Sequence, residues 1–198
     1  MARQPICGTI TKGQDYSCQS VPSRYFQQIV IINMGDLDEV TINNSDVAGV
    51  CSRNVQFTLK EGATGYRISL PDNGSAIYGT FDATTNDFGF ANFLHRVYVA
   101  LTDATEEDKC TLENLVKGRY VVALQRGQIV EIYGIVNGLS AEDFTSDPQN
   151  NSGFVAIALA SKENSPEPNV PLVYKSAVPG QEVEDFDSNF ENAVVVGG

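Results

Sequence analysis

GRYVVALQRGQIVEIYGIVNGL, residues 118–139, is the stretch whose reading decides the fold. Two β-rich runs, Tyr120–Leu124 and Ile129–Val136, flank a turn at Gln125–Gln128 and predict a hairpin. The segment holds two arginines and one glutamate, with no His, Cys or paired carboxylates. A hairpin this well specified and this poor in reactive groups reads as wall material, leaving open whose wall it is.

Outward from it, the pattern stays β-rich. QQIVIINM (Gln27–Met34) is a β-branched run closed by the turn GDLDE, with the short EVTI as its partner. Asn54–Leu59 alternates Val55, Phe57 and Leu59 with polar residues, and Tyr66–Leu70 alternates again. Residues 71–88, with Asn73-Gly74 suited to a tight turn, read as a long Gly- and Thr-rich loop. Phe90–Leu101 and Phe154–Ser161 are further strands, separated from the hairpin by one helix and by the polar loop SAEDFTSDPQNNSG. The helix lies in TDATEEDKCTLENLVKG, with Asp103 and Glu106 at cap-like spacing, acids in its first turns and Lys117 near its end. Leu112, Leu115 and Val116 form its apolar stripe, Gly118 its stop, and a break near Thr111 into two shorter helices is an alternative. KENSPEPNVP is a proline-broken linker, and LVYKSAV leads into an acidic end. About seven strands to one helix predict a mainly β chain: a β-sandwich or barrel with one flanking α-helix and extended loops and arms. The expected organisation is a β domain over residues 1–175, carrying the loop 71–88, and an acidic C-terminal arm over 176–198.

Composition narrows the function. With 13 Lys and Arg against 25 Asp and Glu, the formal net charge is −12, and no basic patch grips phosphates, which argues against sequence-reading nucleic-acid binding. No apolar run approaches the ~20 residues that span a bilayer, and MARQPICGTITKGQDYS lacks a signal-peptide core, so cytoplasmic synthesis without a membrane is expected. Cys7, Cys18, Cys51 and Cys110 show no CxxC spacing, which points to free, buried thiols in place of a zinc cage.

The chemistry expected is none. His95, the only histidine, lies in the strand FLHRVYV and reads as structural. A hydrolase would require Cys51 or Cys110 within reach of its imidazole. Asp36 with Asp38 and Asp185 with Asp187 sit in turn or tail sequence, and TTNDFG (Thr84–Gly89) lacks calcium-loop spacing. No catalytic, cofactor or metal site is therefore predicted. Val194, Val195 and Val196 ask for a different explanation: three strand-forming valines after a run of acids. They pair with their own sheet edge, or they add a strand to a neighbouring subunit.

The order of a strand like FANFLHRVYVAL, a capped helix like ATEEDKCTLENLVKG, the hairpin RYVVALQRGQIVEIYGIVNGL, the loop with NNSGF and the strand VAIALASKE resembles the tail-tube-type proteins of tailed bacteriophages. It is closest to those of Bacteroidales phages, including the crAss-like group. CGTITKGQDYSCQ resembles their opening, and the likeness spans residues 5–40 and 88–170. The resemblance implies a structural virion protein of a bacteriophage tail, forming a six-fold or twelve-fold ring or tube of copies of itself beside adjacent tail or connector proteins. Such a ring serves as a DNA conduit during genome ejection, DNA passing non-specifically through the lumen, and it is assembled in the host cytoplasm before residing in the virion tail. An acidic bore would leave phosphates nothing to grip. The alternative from another class is a monomeric β-sandwich binding carbohydrate or protein through residues 71–88.

Overall fold

Val121, Val122, Ala123 and Leu124 are all inaccessible to solvent, because the strand that carries them is covered on both faces. A continuous apolar run is what such a position demands, and alternation would bury polar groups on one side. The computed structural model describes residues 28–45, 52–68, 77–85, 89, 91–101, 104–146, 154–191 and 193. Within them the chain forms β1 (Gln28–Asn33), β2 (Leu37–Ser45), β3 (Ser52–Leu59), β4 (Tyr66–Ile68), β5 (Tyr78–Thr85), β6 (Ala91–Leu101) and α1 (Glu106–Lys117). There follow β7 (Tyr120–Arg126), β8 (Ile129–Tyr133), β9 (Ser140–Ser146), β10 (Val155–Ala160), β11 (Leu172–Tyr174) and α2 (Glu182–Asp187).

The protein is mainly β. Seven strands form one sheet in the order β2-β3-β11-β8-β7-β1-β4, and four form another, β5-β6-β10-β9. Every named neighbour pair is antiparallel except β3 with β11. Among the described residues neither sheet closes on itself, so there is no barrel, and there are two helices where one was expected. Two strands lie where loops were expected. β5 occupies Tyr78–Thr85 within the expected 71–88 loop, and β9 occupies Ser140–Ser146. Among the described residues both are last strands of the smaller sheet, with a ladder on one edge, and their sequences lack the apolar density that marks inner strands.

The opening hairpin is β7–β8, with Arg126 opposite Ile129 and a two-residue turn at Gly127-Gln128. Gly127 has φ of 63°, the positive value such a turn needs. β8 stops at Tyr133 and does not continue to Val136, because Gly134–Gly138 turns back, Gly138 N–H donating to the Gly134 carbonyl at 3.0 Å. α1 is a single helix through Thr111. Its N-cap is Thr105, three residues before Asp108: Thr105 Oγ1 accepts from the Asp108 N–H at 3.0 Å and Asp108 Oδ2 from the Thr105 N–H at 3.1 Å. The expected cap, Asp103, lies outside the described residues. At the other end a side chain on Gly118 would collide with the Tyr120 ring, whose hydroxyl donates to the Asn114 carbonyl at 2.6 Å.

Two apolar clusters lie on opposite faces of the seven-stranded sheet. Ile29, Ile31, Val122 and Leu124 join Val97, Val99, Val155, Ile157 and Leu159 of the smaller sheet and Leu112 and Leu115 of α1. Val30, Ile32, Val121 and Ala123 point the other way, toward Phe57, Tyr174, Phe186 and Phe190. The alternation of β1 and β7 thus feeds both clusters at once. The second cluster corrects the expected arm. Residues 182–191 include α2 and close over the sheet, with Phe186 and Phe190 fully buried, so the acidic stretch is not a free extension up to Glu191. Arg67 holds it there, donating to the Phe186 carbonyl at 2.6 Å and to Asp187 at 3.1 Å, while its guanidinium lies over the Phe186 ring. Tyr174 donates to buried Asp185 at 2.8 Å, and burial together with that carboxylate raises the Tyr174 hydroxyl's pKa.

Candidate functional site

Two buried titratable groups, His95 and Glu167, come together at the turn that ends β8. His95 on β6 is buried, and both ring nitrogens are bonded to backbone. The Gly134 N–H donates to Nδ1 at 3.2 Å, which places the proton on Nε2, donating to the Asn169 carbonyl at 2.8 Å. Burial lowers its pKa to about 4, against the smaller opposing effect of the Asn169 bond, so the ring is neutral at physiological pH. Glu167 is also buried; its carboxylate accepts from the Val136 N–H at 3.1 Å and the Asn137 N–H at 2.7 Å. Burial raises its pKa, partly offset by those backbone donors. The Glu167 backbone exchanges two bonds with Phe93 on β6, each 2.8 Å.

Clusters of shifted groups often mark catalysis, but this geometry does something else. Both ends of the imidazole and both carboxylate oxygens are occupied by main chain of the turn Gly134–Gly138 and the segment 167–169. The pair staples the smaller sheet to the turn that ends β8. Glu167 was invisible as a buried residue in KENSPEPNVP, where Pro and Ser imply solvent; only its spacing from Pro166 and Pro168, which hold the backbone extended, hinted at a fixed role.

The remaining sequence candidates are dispersed. Cys110 is an exposed free thiol on α1, not a buried one, so burial is corrected for that residue; it lies beside Asn114. Cys7, Cys18 and Cys51 lie outside the described residues, as do Val194, Val195, Val196 and the Asn73-Gly74 turn. Asp36 accepts from Asn33 Nδ2 at 2.8 Å, and Asp187 pairs with Arg67. No group of three metal-ligating side chains is found among the described residues.

What the structure does offer is surface at sheet margins. β5 pairs with β6 over eight residues from Tyr78 to Thr85, yet five of its first six residues other than Gly79 are exposed. Gly79 sits against the Tyr133 ring, where a side chain would not fit. Phe81 is 49% exposed and packs edge-on to Phe93, and Tyr78, 37% exposed, stacks on Tyr98 with ring centroids 4.4 Å apart. At the opposite margin, β9 carries Phe144 beside α1, and the two border a groove of about 660 Å³. Ion pairs are sparse here: Arg96 pairs with Glu142, and Lys117 with Glu113 at 3.4 Å.

These features define a two-sheet, mainly β protein whose outer sheet margins are unpaired among the described residues. No protein-family model, curated protein or solved structure matches the chain.

Proposed function

We propose that this chain is a structural subunit of a bacteriophage tail, a β-sandwich whose copies join into a ring or tube that conducts DNA during ejection, without catalysis. The observation that carries the reading is β5. Among the described residues it is an eight-residue last strand with Asp82 as its one charge and no Pro, bearing exposed Tyr78 and Phe81. Monomeric proteins blunt such margins with charge, Pro or a covering loop. Pairing with another copy satisfies the same backbone groups and removes the aromatics from water. A head-to-tail contact of this kind closes into a ring when its rotation permits. The net charge of −12 suits a conduit, because a polyanion passing an acidic wall finds few cations to stall on.

The test is mass and shape. Light scattering of the purified protein gives a multiple of 21.4 kDa, and negative-stain micrographs show annular particles. A 21.4 kDa monomer at high concentration overturns the reading. One observation favours a second reading, a monomeric carbohydrate-binding module: the stacked Tyr78–Tyr98 pair presents a flat aromatic face. Glycan-array binding by a monomer, lost in Tyr78→Ala, would select it.

A further inference from the structure

We infer that the groove between α1 and β9 receives Val194–Val196 of a second copy of this chain. The inference deepens the ring reading and rests on its premise of self-association. Leu112 and Val155 make a buried floor, while Val116 and Phe144, 48% and 43% exposed, form apolar walls. Lys109, Lys117 and Glu113 stand on the rim, Glu113 pairing with Lys117 at 3.4 Å, so Lys109 is left as the rim's unmatched charge in the lining. β9 is the last strand of its sheet among the described residues, and Phe144 shares a sheet face with Ile157, which it opposes. A strand laid along β9 therefore puts every second side chain on the face of Phe144, where the groove opens. In such a strand Val194 and Val196, two residues apart, would fall on one face.

Three observations choose this occupant. Val194–Val196 is the one run of three consecutive apolar β-branched residues outside the described segments. It follows a run of acids with no base among them, of which the exposed Glu191 lies three residues before Val194, so a copy presenting it brings negative charge toward Lys109. Residues 1–27 carry Arg3, Lys12 and Arg24 against Asp15, the wrong sign for that rim. The third observation is reach. Ala193 packs on the cluster behind the seven-stranded sheet, whereas Leu112 and Val155 belong to the cluster in front of it. Three residues extend ~10 Å, and passing from one side of that sheet to the other takes about two layer spacings of ~10 Å. A chain's own valines fall short of its own groove, so the donor is another copy.

The experiment uses the full chain and the double variant Val194→Asp/Val196→Asp, with circular dichroism confirming an unchanged fold. Light scattering is expected to show the double variant dropping to monomer mass, and Val116→Asp doing the same through the groove wall. A labelled peptide of residues 189–198 then binds the double variant by fluorescence anisotropy, about tenfold more weakly after Lys109→Glu. If the full chain and the double variant both form rings, the groove inference falls while the ring reading stands. If the full chain stays monomeric and the peptide does not bind, both fall. Binding by a peptide of residues 1–27 in place of the C-terminal one, or peptide binding by a full chain that remains monomeric, also overturns the inference.

Discussion

β7–β8 and β5–β6 are both antiparallel hairpins, yet one lies in the middle of its sheet and the other ends its sheet. β7 has β1 on one side and β8 on the other, and six of its seven residues are buried. Among the described residues β5 has a neighbouring strand on one side, β6, and no residue from Tyr78 to Thr85 is buried. Hairpin register is local in both; burial is not. A strand becomes wall or margin according to what stacks over its faces, and composition follows: Val-Val-Ala-Leu where both faces are covered, Gly, Thr and Asp where they are not.

The sharpest way to break this contrast is to remove equal bulk from each hairpin. Leu124→Ala, in the buried strand, is expected to cost about 2–5 kcal/mol, read as a lower urea midpoint at unchanged slope. The next effect is on the staple between the sheets. Between pH 6.5 and 4 the unfolded imidazole takes a proton that folded His95 refuses, so stability is full above 6.5 and falls with pH until about 4. The loss amounts to about 3 kcal/mol for that group. Glu167 acts oppositely: its raised folded pKa means stability declines as pH rises from the ordinary carboxylate range through the folded value. Urea midpoints of the wild type minus those of His95→Gln across this range isolate the imidazole, and its NMR shifts should stay those of a neutral ring at pH 5.

A smaller effect belongs to α1, which joins the two hairpins in sequence. Thr105→Ala removes the acceptor for the Asp108 N–H and should lower stability by about 1 kcal/mol, seen as a drop in Tm. The smallest change in stability, within about 0.5 kcal/mol, is expected for Phe81→Ser on β5. The same substitution should nevertheless reduce assembly mass in light scattering. A mutation almost silent in the urea midpoint and strong in mass would mark β5 as margin surface; a cost matching that of Leu124→Ala would erase the distinction.

Legibility in the sequence followed apolar patterning and not place in the sheet alone. β2 and β4, the end strands of the larger sheet among the described residues, were readable in EVTI and in Tyr66–Leu70, although β2 pairs with β3 and not with β1. Inner strands announced themselves: β1, β3, β6, β7 and β10 were readable from β-branched runs or alternation, with ends displaced by a few residues. α1 was readable from its acids and stripe, although its cap shifted to Thr105. β5 and β9 were hidden because an edge strand needs only one ladder, which Thr, Ser and Asp supply as well as Val. α2 was hidden because five acids outweigh two phenylalanines in any local reading, whereas Phe186 and Phe190 dominate once a sheet face awaits them. The groove at β9 shows the same limit: Val116 was assigned to the helix stripe facing the core, but Leu112 and Leu115 take the core and Val116 is left on the wall.

By itself the chain's pattern determined that it is mainly β, where its central hairpin turns, where its helix runs and that its single histidine lies within a strand. Those properties depend on neighbours within a few residues, through backbone preference and side-chain period. Which margins stay open, that Glu167 and His95 join the sheets, and that the acidic stretch 182–191 lies down on the core were decided only in three dimensions. Each depends on groups brought together from distant parts of the chain, as Arg67 is with Phe186 and His95 with Asn169, and a side chain's burial is a property of the partner that covers it.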